Sequence, residues 1–404
     1  MGQLKPRGLG TINAGEKGHA VTPRPVPNAS GTTAEPAVRF HGLDAVRGYT
    51  IIVVVFYHVF YVFNSSGVVS SLPYGYGVHW LDVVPSFVYP WLMLVMFTVA
   101  GVSARFSLTR RTAGQFLRER VLKLLIPLVG SMTLLNWAIP LVQAQYADIF
   151  AGYGDVALPV RLFFYWLSGY GVLWFLAELF VCSIILVAVR KLDRADRLYA
   201  FAGRWPLWVL IGLAVPIWVS SMILNVPVLV MFRFGIYPLG MLIGYFVLAN
   251  PAVIERLRQA APWLVSAAAL LGVAYAWVFF GHNWIADDVL QNPLTNAYAW
   301  MAVLAWIGGA TRWSNRPNRF SIWWQTRSFP IYIAHYAFIV VGCWWLIHGF
   351  GAPMPISYLL LAIFVTVTTV VFIEITMRVP GLRLVLYGIT VKKTPSLKTI
   401  AETP

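Results

Sequence analysis

The feature that most constrains this chain is a series of ten apolar runs, each long enough to cross a membrane as a helix. The runs occupy residues 47–63, 84–104, 121–141, 171–189, 206–224, 231–249, 263–280, 296–311, 328–348 and 356–377. About 20 apolar residues span a hydrocarbon core of about 30 Å, where a helix satisfies its own backbone hydrogen bonds. Only 11% of the residues are charged, whereas soluble domains have about 25%. The sequence therefore predicts an all-α polytopic membrane protein of about ten transmembrane helices.

The basic residues of the chain test this division into spans. When the N-terminus is placed in the cytoplasm, every lysine and arginine except Arg161 and Arg233 falls in a cytoplasmic segment. Because basic loops stay inside, this asymmetry predicts that both termini are cytoplasmic. The net charge of +15 then reflects topology and contact with anionic lipid headgroups, and it does not indicate a nucleic-acid partner. Arg233 either binds an anionic acceptor or anchors a helix at the membrane interface.

The composition predicts one membrane domain between two polar tails. Residues 1–38 are rich in Pro, Gly, Thr and Ala and lack aromatic residues, which predicts a disordered cytoplasmic tail without a secretory signal. Residues 39–378 hold the apolar runs, and residues 379–404 form a cytoplasmic C-terminal tail. Cys182 and Cys343 both lie inside apolar runs, so we interpret them as buried small side chains and not as a disulfide or a metal site.

Two ionisable residues in the first apolar run are the main candidates for function, because such groups are costly in lipid. Arg47 and His58 are eleven residues apart, so they share a helix face and differ in depth by roughly 16 Å. A guanidinium at the cytoplasmic mouth suits phosphate, and a neutral imidazole in a dry cavity suits proton abstraction near pH 7. In the alternative interpretation, Arg47 extends to the headgroups or pairs with Asp44, and His58 joins two helices by a hydrogen bond.

Four segments, in order, resemble the acyltransferase 3 family of membrane acyltransferases. They are LDAVRG at residues 43–48 with ten residues between Arg47 and His58, FTVAG at 97–101 leading to FLRERVLKLLIP at 116–127, LWFL at 173–176, and SFPIYIAH at 328–335. The resemblance covers residues 40–377, which is nearly the whole membrane domain.

The resemblance implies an activity. Such an enzyme transfers a small acyl group, usually acetyl or succinyl, from a cytoplasmic coenzyme A thioester to a hydroxyl group. The acceptor would be a carbohydrate-containing or lipid molecule, and acyl-CoA would be a co-substrate, with no bound cofactor. The setting would be the plasma membrane, namely the inner membrane of a bacterium.

The resemblance also implies roles for individual residues. His58 would be the general base or a covalent acyl relay, and Arg47 would help to hold the donor. The residues near the coenzyme A phosphates would be Arg118, Arg120 and Lys123. The residues lining the cavity would be Trp174, Glu178, Tyr332 and His335. The role of Glu178 stays open, because many relatives have a pair of acids after this motif or a His before it, whereas here Glu178 is the only acid and could equally be a buried polar partner for another helix.

Two other classes of membrane protein remain as alternatives. A secondary transporter of a glycan or lipid-linked substrate is the first, although no inverted repeat is evident. A structural or sensory membrane protein is the second, and it leaves the four ordered segments unexplained.

One further residue, Glu374 near the inner end of the last run, is predicted to pair with a cytoplasmic arginine.

Overall fold

The computed structural model describes residues 41–70, 77–146, 149–223, 233–314, 319–350 and 354–390. The α-helices in these ranges are α1 His41–Tyr61, α2 Val83–Leu108, α3 Ala113–Arg120, α4 Ile126–Leu134, α5 Ala138–Gln143, α6 Leu158–Ser168, α7 Trp174–Arg190, α8 Arg197–Ala202, α9 Leu207–Gly212, α10 Ala214–Ser221, α11 Ile236–Ile243, α12 Pro251–Phe279, α13 Asp287–Leu290, α14 Pro293–Trp313, α15 Arg319–Trp345, α16 Met354–Thr376 and α17 Pro380–Tyr387. The predicted all-α fold class is therefore confirmed. The predicted disordered segment 1–38 lies outside the described residues.

Five helical stretches are long and apolar enough to cross a membrane. They are His79–Leu108, Gly171–Arg190, Pro251–Phe279, Ser321–Gly349 and Pro355–Thr376. Three shorter apolar stretches are Ala45–Tyr61, Leu207–Ser221 and Ile236–Leu248. Each of these eight stretches coincides with a predicted run, and the chain is an integral membrane protein. The count of ten crossings and the cytoplasmic location of both termini stay predictions.

The third predicted run, 121–141, is not one continuous helix. A π-helical turn, Val121–Leu125, precedes α4, and the chain turns between Leu134 and Ala138 before α5 begins. Pro140 has no N–H for the carbonyl group of Asn136, four residues earlier, and its ring would crowd that carbonyl in a continuous helix. The predicted apolar run is therefore divided at its second proline, and whether it crosses the membrane stays a prediction.

The segment after the last span is also more ordered than a tail. Within it, α17 packs against α4, and Leu386 and Tyr387 are buried. The hydroxyl oxygens of Tyr387 and Thr376 lie 2.7 Å apart, which ties α17 to the end of α16. The part of the C-terminal segment 379–404 beyond residue 390 lies outside the described residues.

Two ion pairs join helices at the end of the bundle that the sequence places in the cytoplasm. The guanidinium of Arg327 on α15 binds both carboxylate oxygens of Glu374 on α16, with Nη2 3.1 Å from Oε2, which confirms the prediction for Glu374. Arg105 on α2 binds Asp196 at 2.6 Å, and this hydrogen bond lowers the pKa of the Asp196 carboxyl. Residues far apart in sequence are thereby held together at this end of the bundle.

Helix α2 crosses α11 and the π-helical turn after it, Gly244–Leu248, at very short range. A Cβ added at Gly101 would lie 2.0 Å from the carbonyl oxygen of Met241, and one at Gly244 would lie 2.1 Å from that of Thr98. No side chain larger than hydrogen fits between these backbones. Small residues at a crossing are the usual way for transmembrane helices to gain close packing.

We expect Gly101→Leu to destabilise the protein, because the new side chain overlaps the backbone of α11. Overpacking of this kind typically costs about 1–3 kcal/mol or more, so the thermal midpoint in detergent and the yield of folded protein should both fall. Gly381→Ala is the control, since a Cβ there meets nothing within 4 Å. A Gly101→Leu protein as stable as this control would contradict the close crossing.

Candidate functional site

The half of the bundle that the sequence predicts to face outward contains a cavity of about 500 Å³. Aromatic side chains dominate its wall, and they are Tyr57, Tyr61, Tyr89, Tyr170, Tyr332, Tyr336 and Trp174. His58 is part of the same wall. Ser70 and Ile285, from connections beyond the outer ends of the helices, also line it. The cavity therefore combines an imidazole with a set of flat rings and faces the predicted outer side.

Helix α1 places its contribution to this wall by simple periodicity. Val54, Tyr57, His58 and Tyr61 all line the cavity, and residues spaced three or four apart lie on one helix face. The His58 ring lies edge-on to Tyr57, with ring centroids 4.9 Å apart, and to Tyr336 of α15, at 5.3 Å. These contacts hold the imidazole in place from both helices.

His58 is hydrogen-bonded to a second histidine. Its Nδ1 lies 2.8 Å from the carbonyl oxygen of Val54 and 3.2 Å from Nε2 of His335. The Nδ1 of His335 lies 2.7 Å from the carbonyl oxygen of Tyr332. His335 is 0% exposed, so it does not line the cavity as predicted and lies behind the wall that His58 forms.

Of the other residues predicted to line the cavity, two do so and one is buried behind the wall. Trp174 and Tyr332 line the cavity, whereas Glu178 is 0% exposed and one helical turn beyond Trp174. Its Oε1 accepts a hydrogen bond of 3.1 Å from the backbone N–H of Arg233. Glu178 is thus a buried polar partner for another segment, which was the alternative interpretation of this residue.

Arg233 is not an anchor at the membrane interface. Its side chain is buried, with 3% exposed, and Nη2 lies 3.5 Å from the carbonyl oxygen of Leu290. Its guanidinium lies 5.9 Å from the centre of the Tyr237 ring, and that ring stacks on Trp174 of the cavity wall. The residues that bury Arg233 are distant in sequence, so its burial could not be predicted from sequence.

The basic segment before α4 forms a second feature at the predicted cytoplasmic end. Thr112 caps α3: its Oγ1 accepts from the Gln115 N–H at 3.3 Å, and the Gln115 side chain accepts from the Thr112 N–H at 3.0 Å. This capping box fixes the start of a short helix that carries Arg118 and Arg120. The helix therefore presents its guanidinium groups from a defined backbone.

An open cleft of about 490 Å³ lies on this helix, and Arg111, Gln115, Arg118, Glu119 and Leu122 line it. Lys123 is 2.6 Å from Glu119 Oε1, and Arg111 binds the other oxygen of the same carboxylate. Arg118 therefore faces the cleft with Arg111 beside it, while Lys123 is held at the edge by its ion pair. Charges of this kind suit a phosphate-bearing ligand.

Arg120 lies within electrostatic range of both Arg111 in this basic surface and Arg47 of α1. Its guanidinium lies 4.7 Å from the centre of the Phe116 ring. Burial lowers the pKa of Arg120 to about 10; the carboxylate of Glu119 opposes this shift, and the guanidinium groups of Arg47 and Arg111 add to it. Because Arg47 contributes to this shift, it lies within electrostatic range of the basic helix. Its side chain is exposed.

Among the residues that the structure describes, none lines both the cavity and the basic cleft. Among the described residues of α1, the cavity lining ends at Val54, and Thr50 and Ile51 beneath it are buried. Next to Arg47, Gly48 accepts a hydrogen bond of 2.8 Å from Trp324 Nε1, and the indole packs against its backbone. Side chains from α1 and α15 thus fill the space between His58 and Arg47.

Some residues of these two features were missed by reasoning from sequence. Five cavity tyrosines were not selected; Tyr57 and Tyr61 flank His58 on α1, but an aromatic residue in a span has no distinctive pattern. Arg111 was read only as a topology signal, because its place beside Arg118 depends on the turn at Thr112. Within the described residues, no group of three or more His, Cys, Asp or Glu side chains could hold a metal ion.

Comparison with known protein families shows which family this chain matches. A family model described as an acyltransferase domain, that of the acyltransferase 3 family, matches residues 40–375. No match was found among curated proteins or among solved structures. The matched range begins just before α1 and ends within α16, so it contains both the cavity and the basic cleft.

We expect the cavity and the basic cleft to be accessible from opposite sides of the membrane. In sealed right-side-out vesicles, an impermeant maleimide should label Ser70→Cys at the cavity and leave Gly114→Cys on α3 unlabelled, and inside-out vesicles should reverse this. The background is low because Cys182 and Cys343 are buried. Labelling of both introduced cysteines, at positions 70 and 114, from the same side of the membrane would contradict the predicted orientation.

Proposed function

The chain belongs to the acyltransferase 3 family, and from this premise we propose that it moves an acetyl or succinyl group from cytoplasmic acyl-CoA to a hydroxyl of a glycan, glycolipid or similar acceptor. The family makes it a membrane acyltransferase with an acyl donor and an acceptor. The observation that carries the finer proposal is the place of His58, in the wall of an aromatic cavity on the helix that also bears Arg47. The family match favours an enzyme over a transporter.

The cavity favours an acceptor with flat apolar faces and hydroxyl groups. Six tyrosines and one tryptophan line the cavity together with His58, and tyrosine and tryptophan combine an apolar ring with a polar group. Such a wall suits the rings of a sugar, whose C–H faces pack on aromatic rings while its hydroxyls meet polar groups. The acceptor would enter from the outer side, where Ser70 and Ile285 line the cavity.

The basic cleft favours a donor that carries phosphate groups. In the proposal, Arg118 and Arg111 bind phosphates of coenzyme A, with Arg120 and Lys123 adding positive charge and Arg47 binding nearer the membrane. Arg47 and His58 differ in depth by roughly 16 Å along α1. The extended arm of coenzyme A would cover that distance and displace the side chains around Thr50 and Ile51, which fill the space in this structure.

The chemical step then needs one base. His58 accepts the proton of the acceptor hydroxyl as its oxygen attacks the thioester carbonyl carbon. The carbon–sulfur bond breaks, the new ester stays on the acceptor, and the sulfur takes the proton back from the imidazolium. Holding acceptor, thioester and base together supplies much of the rate enhancement. The enzyme would work in the plasma membrane, that of a bacterium, between cytoplasmic donor and external acceptor.

We expect His58→Ala to reduce acyl transfer by roughly 10²–10⁴-fold, which is the usual contribution of a general base. Membranes containing the variant would be supplied with radiolabelled acetyl-CoA or succinyl-CoA, and labelled glycans and glycolipids would be counted. His282→Ala is the matched control, because His282 is an exposed histidine outside the cavity wall. Undiminished transfer by His58→Ala would contradict the mechanism.

We expect Arg118→Gln to raise the KM for acyl-CoA about tenfold, because a hydrogen bond to a charged group is worth about 1.5–3 kcal/mol. The KM for an acyl-pantetheine, which lacks the nucleotide phosphates, should stay unchanged. Arg194→Gln serves as control, since Arg194 is an exposed arginine of another inner connection. An equal effect on both donors would show that Arg118 does not bind phosphate.

A further inference from the structure

The buried histidine behind the cavity has no place in the mechanism so far. His335 is 0% exposed and bonded to His58, with His335 Nε2 3.2 Å from His58 Nδ1. Among described residues, the ring contacts of His58 to Tyr57, Tyr61 and Tyr336 restrict the plane of its ring. Ring contacts of this kind restrict the orientation of an imidazole and do not by themselves determine which of its nitrogens carries the proton.

The backbone carbonyls determine the protonation of both rings. A carbonyl oxygen only accepts, so His335 Nδ1, 2.7 Å from the oxygen of Tyr332, carries a hydrogen. The Nε2 of a neutral His335 is then unprotonated and accepts. His58 Nδ1 faces two acceptors, the oxygen of Val54 at 2.8 Å and His335 Nε2, so it too carries a hydrogen. The Nε2 of His58 is left with a free lone pair.

We propose that His335 is a positioning residue that fixes the tautomer of His58 and makes Nε2 its basic atom. The proposal rests on the proposed function, in which His58 is the base. When His58 Nε2 takes the proton of the acceptor hydroxyl, the imidazolium Nδ1–H still donates to His335 Nε2. The same proton leaves Nε2 for the coenzyme A sulfur, and His335 keeps its own proton throughout.

A neutral partner suits this environment better than a carboxylate. A carboxylate beside His58 would be a buried charge without a cation whenever the imidazole is neutral, and uncompensated charges are costly in a dry interior. An imidazole held by its own helix supplies a lone pair without a charge. At metal sites, removing the partner that orients a histidine through its other nitrogen typically lowers metal affinity or activity 10–100-fold, and we expect a loss of similar size here.

The test compares three substitutions on α15. We expect His335→Ala to lower kcat for acyl transfer 10–100-fold and to leave the KM values for acyl-CoA and acceptor within twofold, because substrates do not touch this residue. His335→Gln should restore kcat to within about fivefold of the natural protein, since a glutamine oxygen can accept from His58 Nδ1. Ile339→Ala, at another fully buried position of α15, should lower thermal stability comparably and leave kcat unchanged.

Two results would overturn the inference. The first is a kcat of His335→Ala close to that of the natural protein while His58→Ala is inactive, which would leave the proposed function standing. The second is equal loss of kcat in His335→Ala and His335→Gln, which would mean that His335 acts by packing alone. Full activity of His58→Ala would instead remove the proposed mechanism itself, so the two failures are distinguishable.

Discussion

The structure depends on one constraint: lipid offers the backbone no hydrogen-bond partner. The long apolar stretches are therefore mostly helical in the part of the chain that the structure describes, and a carbonyl group at the end of a helix needs another partner from the protein. At the end of α6, the carbonyl oxygen of Gly169 accepts a hydrogen bond of 2.7 Å from the buried side chain of Asn136, which lies in the turn between α4 and α5. The same dryness makes close contact between helices valuable, as where α2 meets α11 at Gly101.

Burial of polar groups follows the same constraint inside the bundle. His58 and His335 each satisfy Nδ1 on a carbonyl of their own helix, so neither ring needs a charge to be partnered. Glu178 accepts from the backbone N–H of Arg233. These groups are costly to bury in lipid-facing helices, and they lie together around one aromatic cavity. Their concentration there is what distinguishes this part of the bundle from ordinary helix packing.

Helix α1 gives the proposed reaction its geometry. One rigid element carries Arg47 at the predicted cytoplasmic end and His58 in the outer half, so their separation does not depend on a loop. The charged part of a donor can stay among the arginines while its acyl end is presented to a cavity with outward-facing residues. Between these two residues on α1, the side chains of Thr50 and Ile51 are buried.

The sequence by itself determined the all-helical membrane fold, the family, and the shared face of Arg47 and His58, because each follows from local periodicity, composition or order of motifs. The position of Glu374 near the inner end of the last apolar run also predicted that it pairs with an arginine. Only the tertiary structure decided that His335 and Glu178 lie behind the cavity wall, that Arg233 is buried, and that Arg111 joins Arg118. Those positions depend on which helices pack together and how each is rotated, and contacts between residues distant in sequence are not encoded in the pattern of any single helix.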